Sequence, residues 1–358
     1  MSGLRIPLQG TLEITPRCNN RCVHCYVTHC PVEPDREELS YEEYCHLLDQ
    51  LAEAGCLWLL ITGGEPMVRR DFLDIYAYAK KKGFLITLFT NGTLVTPEIA
   101  NFLHHWRPQA VEITLYGATR ETYERVTGVP GSFDRAIRGI ELLAERGISL
   151  VIKAMALTLN RHEIGDIQKY AQKLGAQFRY DPIVWPRLDG MKDPYRVRLE
   201  PQEVIQLELE DEDRPRAWRE FAENFLHPIE SKFLYWCGSG VHSFFVDAFG
   251  RLSLCIEARN PHYDLRKGTF AEAWEKFLPA VKNTRCTKDF ACLHCDLVNL
   301  CGRCPPFSEQ ENGDPESVVP FLCRLAHLRV ETYGLRDLQN HGAPQTSLSA
   351  TNTVGERG

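Results

Sequence analysis

A strand–helix alternation repeated six times constrains the fold of this chain more than any other feature. Between residues 10 and 182, short apolar runs typical of strands alternate with amphipathic segments typical of helices, at about 29 residues per repeat. One parallel strand–helix–strand unit takes roughly 30 residues. The pattern therefore predicts an α/β fold with an all-parallel sheet, as a (β/α)6 partial TIM barrel, with a doubly wound sheet as the alternative. The predicted strands are 11–15, 57–62, 84–90, 111–116, 148–157 and 176–184.

Capping and stop signals place helices between these strands. Ser40 followed by Glu43 forms a capping-box pattern, and Gly55 is typical of the position just beyond a helix end. The apolar stripe between them has helical spacing and consists of Tyr44, Leu47, Leu48 and Leu51. Further helical segments are predicted at 71–83, 96–105, 119–146 and 161–174.

Polar motifs follow the predicted strands at the points where they end. RCNNRCVHCYV (17–27) follows the first strand, TGGEP (62–66) the second, TNGT (90–93) the third, and Tyr116 begins the loop after the fourth. The carboxyl ends of parallel strands meet at one edge of a sheet, and sites in such folds form there. We expect these motifs to build one site.

The cysteine content indicates metal binding. Fourteen cysteines are many for 358 residues. The sequence shows no signal-peptide pattern and no apolar run long enough to span a bilayer, which predicts a cytoplasmic protein in a reducing compartment. Clustered cysteines there favour metal ligands over disulfides. The net charge of −7 argues against general binding to nucleic acids or membrane surfaces.

The first cysteine cluster contains Cys18, Cys22 and Cys25. Three thiolates hold three irons of a [4Fe–4S] cube and leave the fourth iron open, whereas a structural zinc site, the alternative, takes four ligands. In TGGEP, the glycines allow close approach of the backbone to a ligand, and backbone carbonyls with the Glu65 carboxylate suit a cationic amino group. The alternative for this motif is an ordinary turn.

With these motifs in this order, residues 8–185 resemble the radical S-adenosylmethionine (SAM) enzymes. The resemblance rests on the three cysteines, on the run Gly63, Gly64, Glu65 and Pro66, and on the six repeats. It implies that SAM chelates the open iron and is reductively cleaved to a 5′-deoxyadenosyl radical, which abstracts a substrate hydrogen. The family's aromatic position before the third cysteine is His24 here, so Tyr26 is the alternative adenine neighbour.

The resemblance also implies three further SAM contacts from later strand ends, at Asn91, Thr114 and Lys153. The alternatives are a turn asparagine, a strand threonine and a lysine at a strand edge. The sequence does not identify the general acid or base. Asp181, Glu257 and Tyr116 are candidates with equally good structural explanations.

A second set of cysteines runs from residue 237 to 323. Two Cys-x2-Cys pairs suggest a zinc ribbon, but the set resembles the SPASM extension of radical SAM enzymes, with one core gap of two residues where the family has three. That resemblance implies two auxiliary [4Fe–4S] clusters. The outer cluster would use Cys292, Cys295, Cys301 and Cys323. The inner cluster would use Cys237, Cys255 and Cys304, and it either has an open iron or is completed by Cys286. The auxiliary clusters would take part in oxidation of a substrate radical, or be structural.

These patterns divide the chain into four segments. They are the radical SAM barrel at 8–185, a linker or bridging region at 186–235, a SPASM-type domain at 236–330, and a polar tail at 337–358 expected to be disordered. The acidic run ELEDEDRPR in the linker is expected to be solvated.

The resemblance implies modification of a peptide or protein, with a flavodoxin or ferredoxin as reductant. Few residues precede the first strand, so a leader-bearing peptide would be recognised by a separate leader-binding protein or by the barrel itself. The runner-up is modification of a tetrapyrrole in haem or haem d1 assembly, or of another small molecule. A more remote alternative is a non-catalytic iron–sulfur protein.

Overall fold

The computed structural model describes residues 5–27, 36–226 and 232–336. The tail predicted at 337–358 lies outside these ranges. Within them, no helix is both long and apolar enough to cross a membrane.

One nine-stranded sheet organises the described chain, in the order β6-β5-β4-β3-β2-β1-β7-β8-β9. Strands β1 to β6 are parallel, which confirms the predicted α/β fold with a parallel sheet. The sheet continues beyond β1, because β7 pairs with it in parallel and leads into the antiparallel β8 and β9. The strands are β1 (Gln9–Glu13), β2 (Trp58–Thr62), β3 (Leu85–Thr90), β4 (Ala110–Thr114), β5 (Leu150–Met155), β6 (Gln177–Asp181), β7 (Ser243–Val246), β8 (Arg251–Ser253) and β9 (Tyr263–Asp264).

The strand register aligns the carboxyl ends that carry the polar motifs. Glu13 pairs with Thr62, and Thr114 pairs with Lys153. The loops after β1 and β2 therefore start side by side. Apolar residues of one face, such as Ile61 and Leu88, are almost completely buried beneath the helices.

Thirteen helices accompany these strands in the described ranges. The capping box at Ser40 and the end of α1 before Gly55 are confirmed. The segment predicted at 119–146 forms two helices, because the chain turns at Gly128, which has a positive φ. The helices are α1 (Tyr41–Glu53), α2 (Phe72–Lys81), α3 (Pro97–His105), α4 (Arg120–Thr127), α5 (Ser132–Ala144), α6 (Ile164–Lys173), α7 (Pro201–Leu209), α8 (Arg214–Phe225), α9 (Phe270–Glu272), α10 (Leu278–Lys282), α11 (Val298–Cys301), α12 (Pro305–Asn312) and α13 (Pro320–Tyr333).

The segment predicted as a linker or bridging region at 186–235 contains α7 and α8. Its acidic run is not fully solvated, contrary to the expectation. Glu208 is completely buried and accepts hydrogen bonds from Arg329, at 2.6 Å, and from the Tyr333 hydroxyl, at 3.0 Å. A buried carboxylate needs such partners.

Two compact units cut across the predicted domain borders. The first contains residues 1–200, 231–290 and 304–319, and so includes the whole sheet. The second contains residues 201–230, 291–303 and 320–358, and has its own apolar core around Leu297, Leu300 and Val330. The cysteine-rich segment predicted as one domain at 236–330 is thus shared between the two units.

Candidate functional site

The loop that carries the first three cysteines is fixed against the end of α4. The backbone N–H groups of Arg21 and Val23 donate to the carbonyls of Thr127 and Val126, at 2.8 and 3.0 Å. The N–H of Cys25 donates to the Cys22 carbonyl at 3.0 Å and closes a turn.

Cys18, Cys22 and Cys25 are brought together by this loop. Burial, followed by the charges of Glu65 and of the Cys25 thiol, raises the pKa of Cys18 to about 11. Burial also raises the pKa of Cys22, and both other thiols of the set add to it. Half-buried thiols whose deprotonated forms are disfavoured, as those of Cys18 and Cys22 are, form a donor set that a bound cation would stabilise.

The two glycines of TGGEP lie against the backbone of the cysteine loop. The N–H of Gly64 donates to the Thr15 carbonyl at 2.9 Å, and the N–H of Glu65 donates to the Arg17 carbonyl at 2.8 Å. A Cβ on Gly63 would come within 2.6 Å of the Thr15 carbonyl oxygen, and one on Gly64 within 2.4 Å of that of Arg17. Both glycines therefore lie close to the loop that precedes Cys18, and their expected contact with a ligand stays a prediction.

The Glu65 carboxylate lies among hydrogen-bond donors of its own and the next loop. It is completely buried and accepts hydrogen bonds from the Thr90 hydroxyl at 2.9 Å, the Asn91 N–H at 2.7 Å and the Met67 N–H at 3.1 Å. Burial raises its pKa to about 7, against the lowering effect of these donors. The carboxylate thus joins the loops after β2 and β3, and its expected contact with a ligand's amino group stays a prediction. Pro66 begins a short 3₁₀ turn after it.

Asn91 connects the loop after β3 to the cysteine loop. Its amide nitrogen donates to Asn19 Oδ1 at 2.9 Å and lies 3.9 Å from the sulfur of Cys18. Its amide oxygen accepts from the Thr93 hydroxyl at 2.6 Å. The structure therefore brings Asn91 together with the predicted cluster ligands.

Thr114 and Lys153 lie side by side on β4 and β5. The Lys153 ammonium is 3.3 Å from the Glu112 carboxylate and 3.2 Å from the centroid of the Phe89 ring. Burial lowers the pKa of Lys153 to about 8, although the Glu112 carboxylate acts in the opposite direction. Their contact with SAM stays a prediction.

The cysteine loop contains buried polar atoms without a partner in the described residues. They are both amide atoms of Asn20 and Nδ1 of His24, whose side chains are 4% and 8% exposed. Burial lowers the pKa of His24 to about 4, so its imidazole is neutral. The His24 ring meets Tyr116 edge-on at 4.7 Å, and Tyr26 faces Trp185 at 6.5 Å. Orphaned polar atoms beside three half-buried thiols fit a loop that surrounds a polar bound group such as a cluster with SAM.

The four cysteines predicted for the outer auxiliary cluster all lie in the second unit. They are Cys292, Cys295, Cys301 and Cys323. Burial raises the pKa of the Cys301 thiol to about 12, and the charges of the other three add to the effect. The Arg303 guanidinium, 6% exposed, acts in the opposite direction on Cys292.

The three cysteines predicted for the inner cluster, Cys237, Cys255 and Cys304, all lie in the first unit. Each of them acts electrostatically on the Tyr235 hydroxyl, whose pKa is raised to about 12, mainly by burial. Cys286 is placed differently. Its N–H donates to the Lys232 carbonyl at 2.9 Å, at the far end of a short antiparallel pairing.

In the ranges that the structure describes, no three His, Cys, Asp or Glu side chains converge closely enough to hold one metal ion. Thiolates of an iron–sulfur cube each bind a different iron and stand farther apart than the ligands of one ion. The assignment of the individual cysteines to clusters stays a prediction.

A cavity of about 650 Å³ opens beside the cysteine loop, with Pro16 and Val27 in its wall. Its charged lining is mostly acidic. The carboxylates are Glu13, Asp189, Asp247, Glu257, Glu309 and Glu311, and the basic groups are Arg251, Arg259 and His262.

Sequence reasoning missed the ion pair at the base of this cavity. Glu13 is 1% exposed, and the Arg259 guanidinium donates to its carboxylate at 3.1 Å and lies over the Phe245 ring. Burial raises the pKa of Glu13, although Arg259 acts to lower it. A lone acid in the apolar strand TLEIT was the available signal, but nothing in the sequence connects it to an arginine 246 residues away.

Comparison with known proteins gives a consistent result. The model of the radical SAM superfamily matches residues 12–171. The mycofactocin maturase MftC of Mycobacterium tuberculosis is 30% identical over 91% of this chain and 88% of its own length. The AdoMet-dependent heme synthase of Nitratidesulfovibrio vulgaris is 27% identical over 87% of this chain and 90% of its own. The crystal structure of Streptococcus suis SuiB bound to precursor peptide SuiA has the same fold, with a TM-score of 0.70 at 17% identity, covering 90% of this chain and 76% of that one.

Proposed function

Because this chain belongs to the radical SAM superfamily and is an enzyme of the SPASM-bearing type, we propose that it abstracts a hydrogen atom from a peptide or protein substrate. The enzyme uses SAM and a [4Fe–4S] cluster, which together supply the 5′-deoxyadenosyl radical. The substrate would occupy the acidic cavity beside the cysteine loop.

The residues of this chain have separate tasks in the proposal. Cys18, Cys22 and Cys25 would hold the cluster. The glycines of TGGEP set the position of the cysteine loop through the hydrogen bonds to Thr15 and Arg17. Neutral His24 and the Asn20 amide would donate or accept hydrogen bonds at the bound group, which satisfies their buried atoms.

The charge of the cavity is the observation that carries the choice of a peptide. Six carboxylates face two guanidinium groups and one imidazole, and the Arg259 guanidinium already pairs with Glu13. Burial raises the pKa of Asp247 and Glu257, and a proton taken up by either carboxylate would add no cation to the cavity. A tetrapyrrole with several carboxylates would lose its hydration here without cations to replace it. A neutral or cationic peptide segment would bring no carboxylates that need such cations.

Tetrapyrrole modification remains the second candidate. It is favoured by the likeness to the heme synthase of Nitratidesulfovibrio vulgaris, which spans most of both chains. The two candidates share the radical chemistry and differ in the charge that the substrate brings into the cavity.

The partners of the proposed enzyme follow from the same chemistry. A flavodoxin or ferredoxin would supply the electron, and a separate leader-binding protein would present a leader-bearing peptide. The outer cysteine set, Cys292, Cys295, Cys301 and Cys323, would hold one auxiliary cluster, and Cys237, Cys255 and Cys304 the other. These clusters would accept an electron from the substrate radical.

The test uses the full chain, reconstituted anaerobically with iron and sulfide and supplied with dithionite and SAM. We expect 5′-deoxyadenosine, and none from the variant in which Cys18, Cys22 and Cys25 are all alanine. The variant Cys45→Ala is the matched control, because this cysteine belongs to none of the sets, and it should retain full activity. Absence of 5′-deoxyadenosine from the iron-loaded enzyme would refute the radical chemistry.

The substrate class is tested with two probes under the same conditions. A library of deuterated synthetic peptides should contain members that transfer deuterium to 5′-deoxyadenosine. Fe-coproporphyrin III, a tetracarboxylate, should give no product. A decarboxylated porphyrin, or a library from which no peptide transfers deuterium, would overturn the choice of a peptide while leaving the radical chemistry intact.

A further inference from the structure

We infer that Tyr116 sets the reduction potential of the first cluster by donating a hydrogen bond from its hydroxyl to the sulfur of Cys22. The inference rests on the proposed assignment of Cys18, Cys22 and Cys25 to that cluster. It does not depend on the substrate, and it makes Tyr116 a positioning residue and not the general acid or base.

The backbone of Tyr116 is fixed at the start of the loop after β4. The N–H of Leu115 donates to the Lys153 carbonyl at 2.7 Å, so the pairing with β5 continues up to Tyr116. The Tyr116 carbonyl accepts a hydrogen bond at 2.9 Å from the side-chain amide of Asn160, which is completely buried. The Tyr116 side chain therefore starts from a defined point of the backbone.

The end of helix α4 brings the Tyr116 side chain and the cysteine loop together. Tyr116 packs against the apolar cluster that contains Val126. The carbonyl of the same Val126 accepts the N–H of Val23, the residue after Cys22, at 3.0 Å. The His24 ring then meets the Tyr116 ring edge-on, with 4.7 Å between the ring centroids. One helix end thus fixes both the tyrosine and the loop that carries Cys22.

The Tyr116 hydroxyl lies at the sulfur of Cys22. Burial raises the pKa of the Cys22 thiol, and a hydrogen bond from the Tyr116 hydroxyl acts in the opposite direction. Burial also raises the pKa of Tyr116, and the charges of Cys22 and Cys25 add to the effect, so the hydroxyl keeps its proton. The Thr114 hydroxyl donates to the Tyr116 oxygen, which leaves the Tyr116 proton for the sulfur.

Another sulfur of the same set receives a hydrogen bond from the main chain. The N–H of Asn20 donates to the Cys18 sulfur at 3.4 Å. A side-chain substitution does not remove such a donor, whereas Tyr116→Phe removes one hydroxyl and leaves the ring in place. The hydrogen bond to Cys22 can therefore be tested by the loss of a single oxygen atom.

A hydrogen bond to a thiolate sulfur stabilises the form of the cluster that carries more negative charge. Reduction adds one electron, so the donor favours the reduced form and raises the reduction potential. The cluster is then easier to reduce with a flavodoxin or ferredoxin, and it is a correspondingly weaker electron donor to SAM. Tyr116 would in this way balance the two electron transfers that the reaction needs.

The first test is a redox titration of the full chain, reconstituted anaerobically with iron and sulfide and followed by electron paramagnetic resonance without SAM. The signal of the first cluster is the part that is absent when Cys18, Cys22 and Cys25 are all alanine. We expect Tyr116→Phe to keep its iron and to lower the ratio of reduced to oxidised first cluster about tenfold at a given potential, a fall of about 59 mV in the reduction potential.

Two results of this titration would overturn the inference in different ways. An unchanged or raised potential in Tyr116→Phe would refute the role of the hydroxyl and leave the proposed function intact. A triple alanine variant that keeps the whole wild-type signal would refute the assignment of the three cysteines, and with it both the proposed function and the inference.

The variant Tyr123→Phe is the matched control. The Tyr123 ring lies 6.2 Å from that of Tyr116, and its hydroxyl is buried without a hydrogen-bond partner among the described residues. The same loss of a hydroxyl should leave the potential of the first cluster unchanged. An equal fall in both variants would show an effect of any buried hydroxyl nearby and would count against the hydrogen bond to Cys22.

A ring-fluorinated tyrosine at position 116 tests the opposite sign. It keeps the hydroxyl, so it also covers the case in which Tyr116→Phe fails to retain the cluster. Fluorine makes the hydroxyl a stronger donor, and the potential of the first cluster should therefore rise. A purely structural role of the ring predicts no rise, and a fluorinated protein with the wild-type potential or a lower one would overturn the inference.

Discussion

Replacing Gly64 by alanine should displace the cysteine loop and cost the enzyme its first cluster. The added Cβ would lie 2.4 Å from the Arg17 carbonyl oxygen and 2.6 Å from that of Pro16. Ordinary contact needs at least 3.4 Å, so the two backbones must separate by about 1 Å. The obstacle is backbone on both sides, and no side-chain rotation relieves it.

The expected magnitude follows from the cost of overpacking, roughly 1–3 kcal/mol and more where the backbone cannot move. For a chain of this size that corresponds to a fall of roughly 1–4 °C in the melting temperature. The hydrogen bonds from Gly64 to Thr15 and from Glu65 to Arg17 would lengthen with the shift. Because Cys18 follows Arg17 directly, we also expect the loss of about four irons and of 5′-deoxyadenosine formation.

The assay compares Gly64→Ala with Gly165→Ala by thermal melting, iron content and 5′-deoxyadenosine yield. Gly165 lies in the first turn of α6 with nothing within 4 Å of its added Cβ, so alanine there should be neutral or stabilise the chain by up to about 1 kcal/mol. A Gly64→Ala protein with the melting temperature, iron content and 5′-deoxyadenosine yield of the wild type would refute the reasoning.

Two further predictions concern buried charges. Arg329→Met should destabilise the second unit by about 3–5 kcal/mol, because Glu208 would remain buried without its cation, whereas Arg216→Met, with an arginine side chain 73% exposed, should change stability by less than about 1 kcal/mol. Urea unfolding followed by circular dichroism measures both, and equal effects would contradict the role given to burial. In the folded protein, the pKa of Lys153 is lowered from 10.5 to about 8. Between these two pH values the unfolded chain binds more protons at this lysine than the folded chain does. The contribution of Lys153 to the free energy of unfolding should therefore rise from pH 8 toward 10.5. A difference in melting temperature between Lys153→Met and wild type that does not vary over this range would count against the shift.

The repeating part of the fold was predictable because strand and helix periods are local. The strands of the parallel sheet lie within a few residues of their predicted bounds, and the caps of α1 follow from Ser40 and Gly55 alone. Helix α7 was missed because its sequence carries charges that suggest a solvated loop. Glu208 of α7 can be buried because it pairs with Arg329, which lies 121 positions away in the sequence.

In the candidate site, too, local patterns were predictable from the sequence, whereas contacts between distant segments were not. The resemblance to the SPASM extension implied an inner and an outer auxiliary set, and the cysteines of these two predicted sets fall in different compact units. The orientation of the Glu65 carboxylate was not predictable, since it depends on Thr90 and Asn91 in the next strand and loop. The pair of Glu13 and Arg259 likewise exists only because β7 lies beside β1.

The pairing of β1 with β7 also determines the order in which this chain can fold. Residues Gln9 to Leu12 pair with Ser243 to Val246. One edge of β1 therefore stays without its partner strand until more than two hundred further residues have been synthesised. Contacts of such sequence separation form slowly, and an uncovered strand edge in the meantime is a site of misassembly. The loop of Cys18, Cys22 and Cys25 begins at this same strand. A cluster inserted into the nascent chain would therefore bind beside a β1 that is paired with β2 alone. A cluster inserted after release would bind beside a β1 that is paired with both β2 and β7.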